Sequence, residues 1–538
     1  MRLLESTFAG CSRVIVTKLH GGFSGSLVLK TDSYGLDGSR DEPTVTKLDD
    51  AESMLDEVKK TAQFTKLVGA SAAQVQRGPF LVDASGKPIE ANAATGKAFG
   101  CVVLDMAGAC WVMPEFYGKL DTELISTFKQ HVVRQLAAKP GLEINTDVMA
   151  VMQELWGAGG PLRSLALETS RRSDTLATQP EGLIERALRG IITSLILAFR
   201  APNGANSMDL IKGYSTPPML DGCISKVLES NPGWLTDDWH SKIDGLQAKK
   251  FKHSLVHDCD AAVWRDEDTC KALVSLVEQL ESLIQPGDPA WLAGYKPLSM
   301  HQHGDLNCGN ILVDVRNSLW LIDFAKAGEQ ALFVDAAKMV SVILFEQFPV
   351  PLTLDDLRRV SGAQKLVDAL GASEDEAKAL TSLAAACDSK AALVERLAAD
   401  DSLQRFLPFI EDDAVAEQRA KEACDVIDLL FKPGADGKQP QLLEMGERQT
   451  PADWPAYAQL ALQLCARVLK VTTELVADCS RREQGNGEAV KEDLHPVHFL
   501  LPLLKRALST LRYRDCGSWQ KRVAWHAAQR LAGALSQL

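Results

Sequence analysis

His303-Gly304-Asp305-Leu306-Asn307-Cys308-Gly309-Asn310, then Ile311-Leu312-Val313-Asp314-Val315 and, past a short turn, Ser318-Leu319-Trp320-Leu321-Ile322-Asp323-Phe324, is the stretch on which the reading of this chain turns. Residues 310–315 and 318–324 are short apolar runs, and Arg316-Asn317 between them reads as a tight turn. A hairpin brings its two ends together. It sets Asn310, at the start of one strand, near Asp323, at the end of the other, with Asp305 on the loop just before them.

A lone His-x-Asp in a helical protein means little, because the Asp can simply cap a neighbouring element. The full order is more particular: a carboxylate, an amide and a second carboxylate around one hairpin. Phosphoryl transfer needs few groups. A carboxylate orients the attacking hydroxyl and takes its proton, and oxygen ligands hold Mg²⁺ against the phosphates. Asp305 suits the first role; Asn310 and Asp323 suit the second.

Toward the N-terminus the pattern is of strands with one helix. Ser12–Leu19 alternates and is rich in β-branched residues, and Leu27–Thr31 resumes a strand beyond a turn. That turn holds Gly21, Gly22 and Gly25 with Ser24 and Ser26 interleaved, so its backbone amides can approach phosphate oxygens with no Cβ in the way. Thr44–Leu48 is a third strand and carries Lys47, whose ammonium can reach the same phosphates. The segment 52–67 has helical spacing and carries Glu57, placed to pair with Lys47. Pro79–Asp83 and Ala98–Leu104 are further strands. Taken singly, each of these charges is more often a surface residue; the order in which they occur gives them weight.

Beyond Asp105 helical periodicity dominates, at about 121–138, 145–156, 181–200, 221–230, 266–284, 330–347, 374–398, 412–431, 455–478 and 497–535. The expected fold is α+β and two-lobed. A small antiparallel N-terminal β lobe with one helix, residues 1–107, precedes a large, mostly helical lobe, residues 108–538, with the hairpin embedded in it. Asp335 is most simply read as the N-cap of the helix that follows, with bracing of the 303–310 loop as a second role. Trp320 is read as a core residue. His253 and His257 have metal-ligand spacing on a helix but no third ligand.

Bulk properties narrow the classes. The chain has 538 residues, 46% hydrophobic, with a formal net charge of -13. This is globular composition without the basic face that a general nucleic-acid binder needs. The 12 cysteines include no CxxC pair and accompany no secretory leader, so they read as reduced thiols in a cytoplasmic protein. The best apolar run, Ile191–Phe199, is about half of the ~20 residues a bilayer requires, so no membrane partner is expected.

The order of glycine turn, strand lysine, helix glutamate, HGD…N and IDF resembles the protein-kinase-like fold, in its aminoglycoside phosphotransferase and choline kinase branch. The segments GGFSGSLVL, VTKLDD…EVKK, HGDLNCGNILVD, WLIDFAKAG and the stretch from Leu504 to Leu535 resemble, more closely, phosphotransferase-like ternary complex-associated domain proteins. The resemblance implies that Lys47 contacts the ATP phosphates and Glu57 orients it. It further implies that Asp305 is the catalytic base and that Asn310 and Asp323 bind Mg²⁺. Asp105 and Ala107 fall in a hinge, 103–108, that meets adenine through its backbone. Two positions depart from the branch: Asn307 stands where His is frequent, and Cys308 where Pro is common. The connection from Asp323 to Asp335 is short and lacks a peptide-docking anchor, so the expected acceptor is a hydroxyl of a small molecule. The alternative is a catalytically weak or inactive kinase-like module that binds nucleotide, or a protein partner through its helical insertions.

Overall fold

The computed structural model describes residues 2–19, 26–69, 72–90, 98–105, 117–119, 154–156, 160–172, 188–195, 218–231, 271, 273–278, 281, 298–307, 310–314, 319–348, 350–360, 366, 370, 372–430, 456–483, 496–512 and 516–536. The glycine turn 21–25, Ala107, Cys308, Gly309, the turn residues Arg316 and Asn317, and the pair His253 and His257 lie outside them.

The N-terminal part is a 5-stranded antiparallel sheet. Its strands are β1 (Cys11–Lys18), β2 (Leu27–Gly35), β3 (Thr44–Asp50), β4 (Val75–Asp83) and β5 (Ala98–Asp105), in the order β1-β2-β3-β5-β4. The central strand β3 sets Lys47 opposite Val28 of β2 and Val102 of β5. Side chains alternate across a pleated sheet, so Lys47 and Val102 share one face while Thr44, Thr46 and Val103 take the other.

Each face has its own helix. A short N-terminal helix, α1 (Arg2–Thr7), which the strand-rich pattern of this region does not anticipate, buries Leu3 against Val82 and Cys101. The Lys47 face is covered by α2 (Ala51–Val68). Asp50 starts this helix by accepting from the Ser53 amide at 2.9 Å, and Gly69 ends it at φ 69°. Met54, Glu57, Thr61 and Phe64 recur at helical spacing along its buried side, so a charged residue sits on the inward stripe.

The remainder is mostly helical around one apolar core, with two small sheets. One holds β6 (Tyr117–Lys119), β8 (Ile311–Asp314) and β9 (Leu319–Leu321); Ile311 pairs with Leu321, so the expected hairpin forms. The other pairs β7 (Ser299–Gln302) with β10 (Gly328–Ala331), and neither strand is evident from the sequence pattern. Ser-Met-His-Gln and Gly-Glu-Gln-Ala contain no β-branched residue, and their pairing is fixed by what packs on them.

Several helical boundaries differ from the periodicity. The helix expected from 330 is α3 (Val334–Ser341), running into a π-helical turn, Val342–Glu346, because β10 takes the first residues. The segment 374–398 is two helices, α4 (Glu374–Ala385) and α5 (Lys390–Ala398); Ser373 and Ser389 each cap a separate start. After α6 (Asp413–Leu430) and α7 (Ala456–Glu483), the segment 497–535 is likewise two, α8 (Val497–Arg512) and α9 (Ser518–Ser536). Among the described residues no helix is long and apolar enough to cross a membrane.

Candidate active site

Lys47 is the link between sheet, helix and hairpin. Its Nζ lies 2.7 Å from Glu57 Oε2 on α2 and 3.4 Å from Asp323 Oδ1 beyond β9. Lys47 and Glu57 are buried, at 7% and 4% exposure. Burial works to lower the Lys47 pKa, but the charges of Asp323 and Glu57 outweigh it and leave it raised, so the group stays a cation. Glu57 is less well compensated: burial pushes its pKa up, and one lysine only partly opposes that.

Asp323 has φ 63° and ψ 63°, a left-handed conformation that few non-glycine residues adopt. The turn throws the next side chain, Phe324, inward. Its ring stacks on Phe64 of α2, with centroids 6.5 Å apart, and meets the His303 ring at 5.0 Å. From the same helix, Lys60 Nζ donates to the Ala325 carbonyl at 2.7 Å. The segment 323–326 is thus clamped to the small lobe while its base belongs to the large one.

β7 delivers the loop that carries Asp305. His303 is fully buried, with Nε2 2.9 Å from the Ile322 carbonyl oxygen, so the loop is tied to the strand end that bears Asp323. Asp335 is not an N-cap. Phe333 holds that position, and Asp335 lies within the first turn of α3, where its two oxygens accept from the amides of His303 (2.7 Å) and Gly304 (2.8 Å). The second of its two expected roles, bracing the loop, matches this geometry. Gly304 has φ 82°, and a Cβ there would collide with the Lys326 carbonyl and the Gln330 side chain. The glycine of HGD is a steric requirement of this loop.

Asp305 itself is ion-paired with Lys326, Oδ2 to Nζ 2.5 Å. Burial pushes its carboxyl up, but Lys326, Arg506 and Lys338 together outweigh that and hold it well below the usual carboxylate range. Asn310 Nδ2 donates to the Asp305 carbonyl at 2.8 Å. That commits the amide nitrogen and leaves Oδ1 as the group's acceptor. Ser26, at the edge of the glycine turn, donates to Asp49 at 2.5 Å. Asp105 closes β5 opposite Thr44.

The structure therefore brings Lys47 into direct contact with both Glu57 and Asp323 and binds Asp305 to Asn310. Sequence reasoning missed Lys60, Lys326 and Arg506, all cations on groups of the Asp305 loop or next to the hairpin. Only Lys326 left a signal, as the basic residue soon after Asp323. A separate cavity of about 490 Å³ lies on the sheet face opposite Lys47 and is lined by Phe8, Ser33, Thr44, Arg77, Val103 and Trp320. Trp320 is accordingly half-buried at a cavity wall and not a core residue.

A small antiparallel sheet with its lysine paired to a helix glutamate, above a hairpin carrying Asp…Asn and Asp, is the arrangement that kinases use. The fold is protein-kinase-like.

No protein-family model matches the chain. A curated 3-deoxy-D-manno-octulosonic acid kinase of Photobacterium profundum is 41% identical over 90 residues, 16% of this chain and 36% of that protein. The match thus spans about a third of that relative's length. Among solved structures, an amicoumacin kinase is 11% identical at a TM-score of 0.27, covering 78% of this chain and 93% of its own. An ethanolamine kinase of Plasmodium vivax is 10% identical at 0.25, covering 85% and 83%. A spectinomycin phosphotransferase is 11% identical at 0.25, covering 78% and 95%. At such scores the fold rests on the chain's own topology.

Proposed function

We propose that this chain is an ATP- and Mg²⁺-dependent phosphotransferase acting on a hydroxyl of a small molecule, with residues 1–107 as the nucleotide lobe and 108–538 as the acceptor lobe. The observation that carries the reading is the contact of Lys47 with both Glu57 and Asp323, which ties a phosphate-side cation to a metal-side carboxylate across the cleft. In the step, the acceptor oxygen bonds to the γ-phosphorus, the bond to the bridging oxygen of ADP breaks, and Asp305 takes the hydroxyl proton. Lys47, oriented by Glu57, binds the α- and β-phosphates. Gly21, Gly22, Ser24, Gly25 and Ser26 cover them, and the backbone around Asp105 and Ala107 meets adenine.

Asn310 Oδ1 and the Asp323 carboxylate fit Mg²⁺, which commonly takes one or two carboxylates and completes its shell with phosphates and water. No group of three His, Cys, Asp or Glu that could cage a metal occurs among the described residues. The ion supplies neutralisation of the phosphate charge. The described cysteines are free thiols, which suits the cytoplasm, where ATP is available. The partial relative acts on a sugar acid, so sugar hydroxyls are the first acceptors to try.

The test is incubation of the purified protein with Mg²⁺, γ-labelled ATP and a pooled small-molecule extract. A labelled small molecule and ADP are expected. Mg-ATP at 100 times its Kd should also raise stability by about 2.7 kcal/mol. Stabilisation without transfer would favour a nucleotide-binding module; the absence of both effects would overturn the reading.

A further inference from the structure

The loop bearing Asp305 is held from two directions. From α3, Asp335 takes the amides of His303 and Gly304. Asp335 is itself set by Gln302, whose Oε1 accepts from the Asp335 amide at 3.0 Å. From α8, much later in the chain, Arg506 Nη2 donates to the Gly304 carbonyl at 3.2 Å. Both polar backbone groups of Gly304 are thereby fixed, one by an anion and one by a cation. The conformation they fix is a positive-φ turn immediately before Asp305.

The two anchors come from elements packed on each other. Phe333, at the start of α3, meets Phe499 of α8 edge-on, with centroids 6.1 Å apart. Leu500, Leu503, Leu504 and Leu508 of α8 are buried in the same core as Ala336, Ala337 and Val340 of α3. Asp335 is a buried carboxylate, and the Arg506 charge acts on it as well as on Asp305. A guanidinium at this point offsets negative charge that burial would otherwise make costly.

We propose that Arg506 is a positioning residue for the phosphotransfer centre: by holding the Gly304 carbonyl it sets where Asp305 stands, so α8, which carries it, belongs to the support of that centre. The role of Asp305 in this statement rests on the phosphotransferase reading; the hold on the loop does not. Arg506 acts through Gly304 and need not touch nucleotide or acceptor.

The test compares the full-length protein with R506A and R506K. Backbone amide exchange is measured across 303–307, with Lys47–Glu57 as the internal control, and Mg-ATP hydrolysis is followed in parallel. Loss of one charge-assisted hydrogen bond predicts about tenfold faster exchange at 303–307 in R506A. Exchange at 47–57 stays unchanged. The kcat for hydrolysis falls at least about tenfold while the KM for Mg-ATP stays within about twofold. Millimolar guanidinium restores part of the kcat. Should R506A not fold, R506K takes its place; it keeps the charge but loses the planar fork, and intermediate exchange is expected. Unchanged exchange at 303–307 in the folded variant overturns the inference, as does an equal rise across 47–57. If the wild-type protein neither hydrolyses ATP nor transfers its phosphate to any small molecule, the phosphotransferase reading fails, and the exchange measurement still decides whether Arg506 holds the loop.

Discussion

Two lysine–carboxylate pairs stand one in each lobe, at nearly the same distance. Lys47 and Glu57 meet at 2.7 Å with side chains 8% and 5% exposed; Lys326 and Asp305 meet at 2.5 Å with side chains 62% and 22% exposed. Distance does not distinguish them; surroundings do. Two charges taken out of water depend on each other, and removing one strands the other. An exposed lysine loses little on leaving its partner, because water takes its place. The small-lobe pair is therefore a fixed brace between sheet and helix. The large-lobe pair is a clasp that opens at little cost, as the role proposed for Asp305 requires.

The largest effect comes from deleting the carboxylate of the clasp. Asp305→Ala should lower phosphoryl transfer by about 10²–10⁴-fold, the usual contribution of a general base. Stabilisation by Mg-ATP should survive. Transfer at the wild-type rate would show that another group takes the proton.

Breaking the brace should act on stability as well as on nucleotide binding. Glu57→Ala leaves a buried ammonium with Asp323 alone, and a loss of about 3 kcal/mol is expected, near the low end for a broken buried pair. The denaturant midpoint measures it. A change below about 1 kcal/mol would mean the pair is hydrated like a surface pair.

Lys326→Ala should be the mildest, with stability altered by no more than about 1 kcal/mol. Its signature is in pH. The Asp305 pKa is held down, burial opposing and Lys326, Arg506 and Lys338 prevailing. A depressed carboxylate adds stability above its unfolded pKa of about 4, and that stability is lost as pH falls through the folded value. Removing Lys326 lets the pKa climb, so the acid limb of the pH–rate profile should move to higher pH. A limb that stays in place would show that the clasp does not tune Asp305.

Much of this centre was legible because its members announce themselves in order along the chain. Lys47 stands in a β-branched strand, Glu57 on the next helix, and Asp305, Asn310 and Asp323 around one apolar hairpin. What escaped is what tertiary packing decides. Arg506 looks like any helix cation until α8 is laid on α3. Asp335 has the composition of an N-cap, yet Phe333 takes the cap with a positive φ and frees the carboxylate for the loop amides. β7 and β10 have weak strand propensity, and the Gln302 side chain, which donates to the Ala331 carbonyl, adds a tie between them that no sequence pattern shows. Periodicity ran through Ser389 and Gly517, where local capping breaks the helices; at Gly517 a Cβ would strike the Trp519 ring.

The contact between Lys47 and Asp323 joins residues 276 positions apart. On a ribosome adding about 5–20 residues per second, roughly a quarter-minute to a minute separates their emergence. Through that interval Lys47 has Glu57 close by on the next helix, while Asp323 is not yet made. The nascent small lobe thus has to neutralise Lys47 with Glu57 alone. Glu57, on α2, is therefore the first partner that Lys47 can meet, and Asp323 the second.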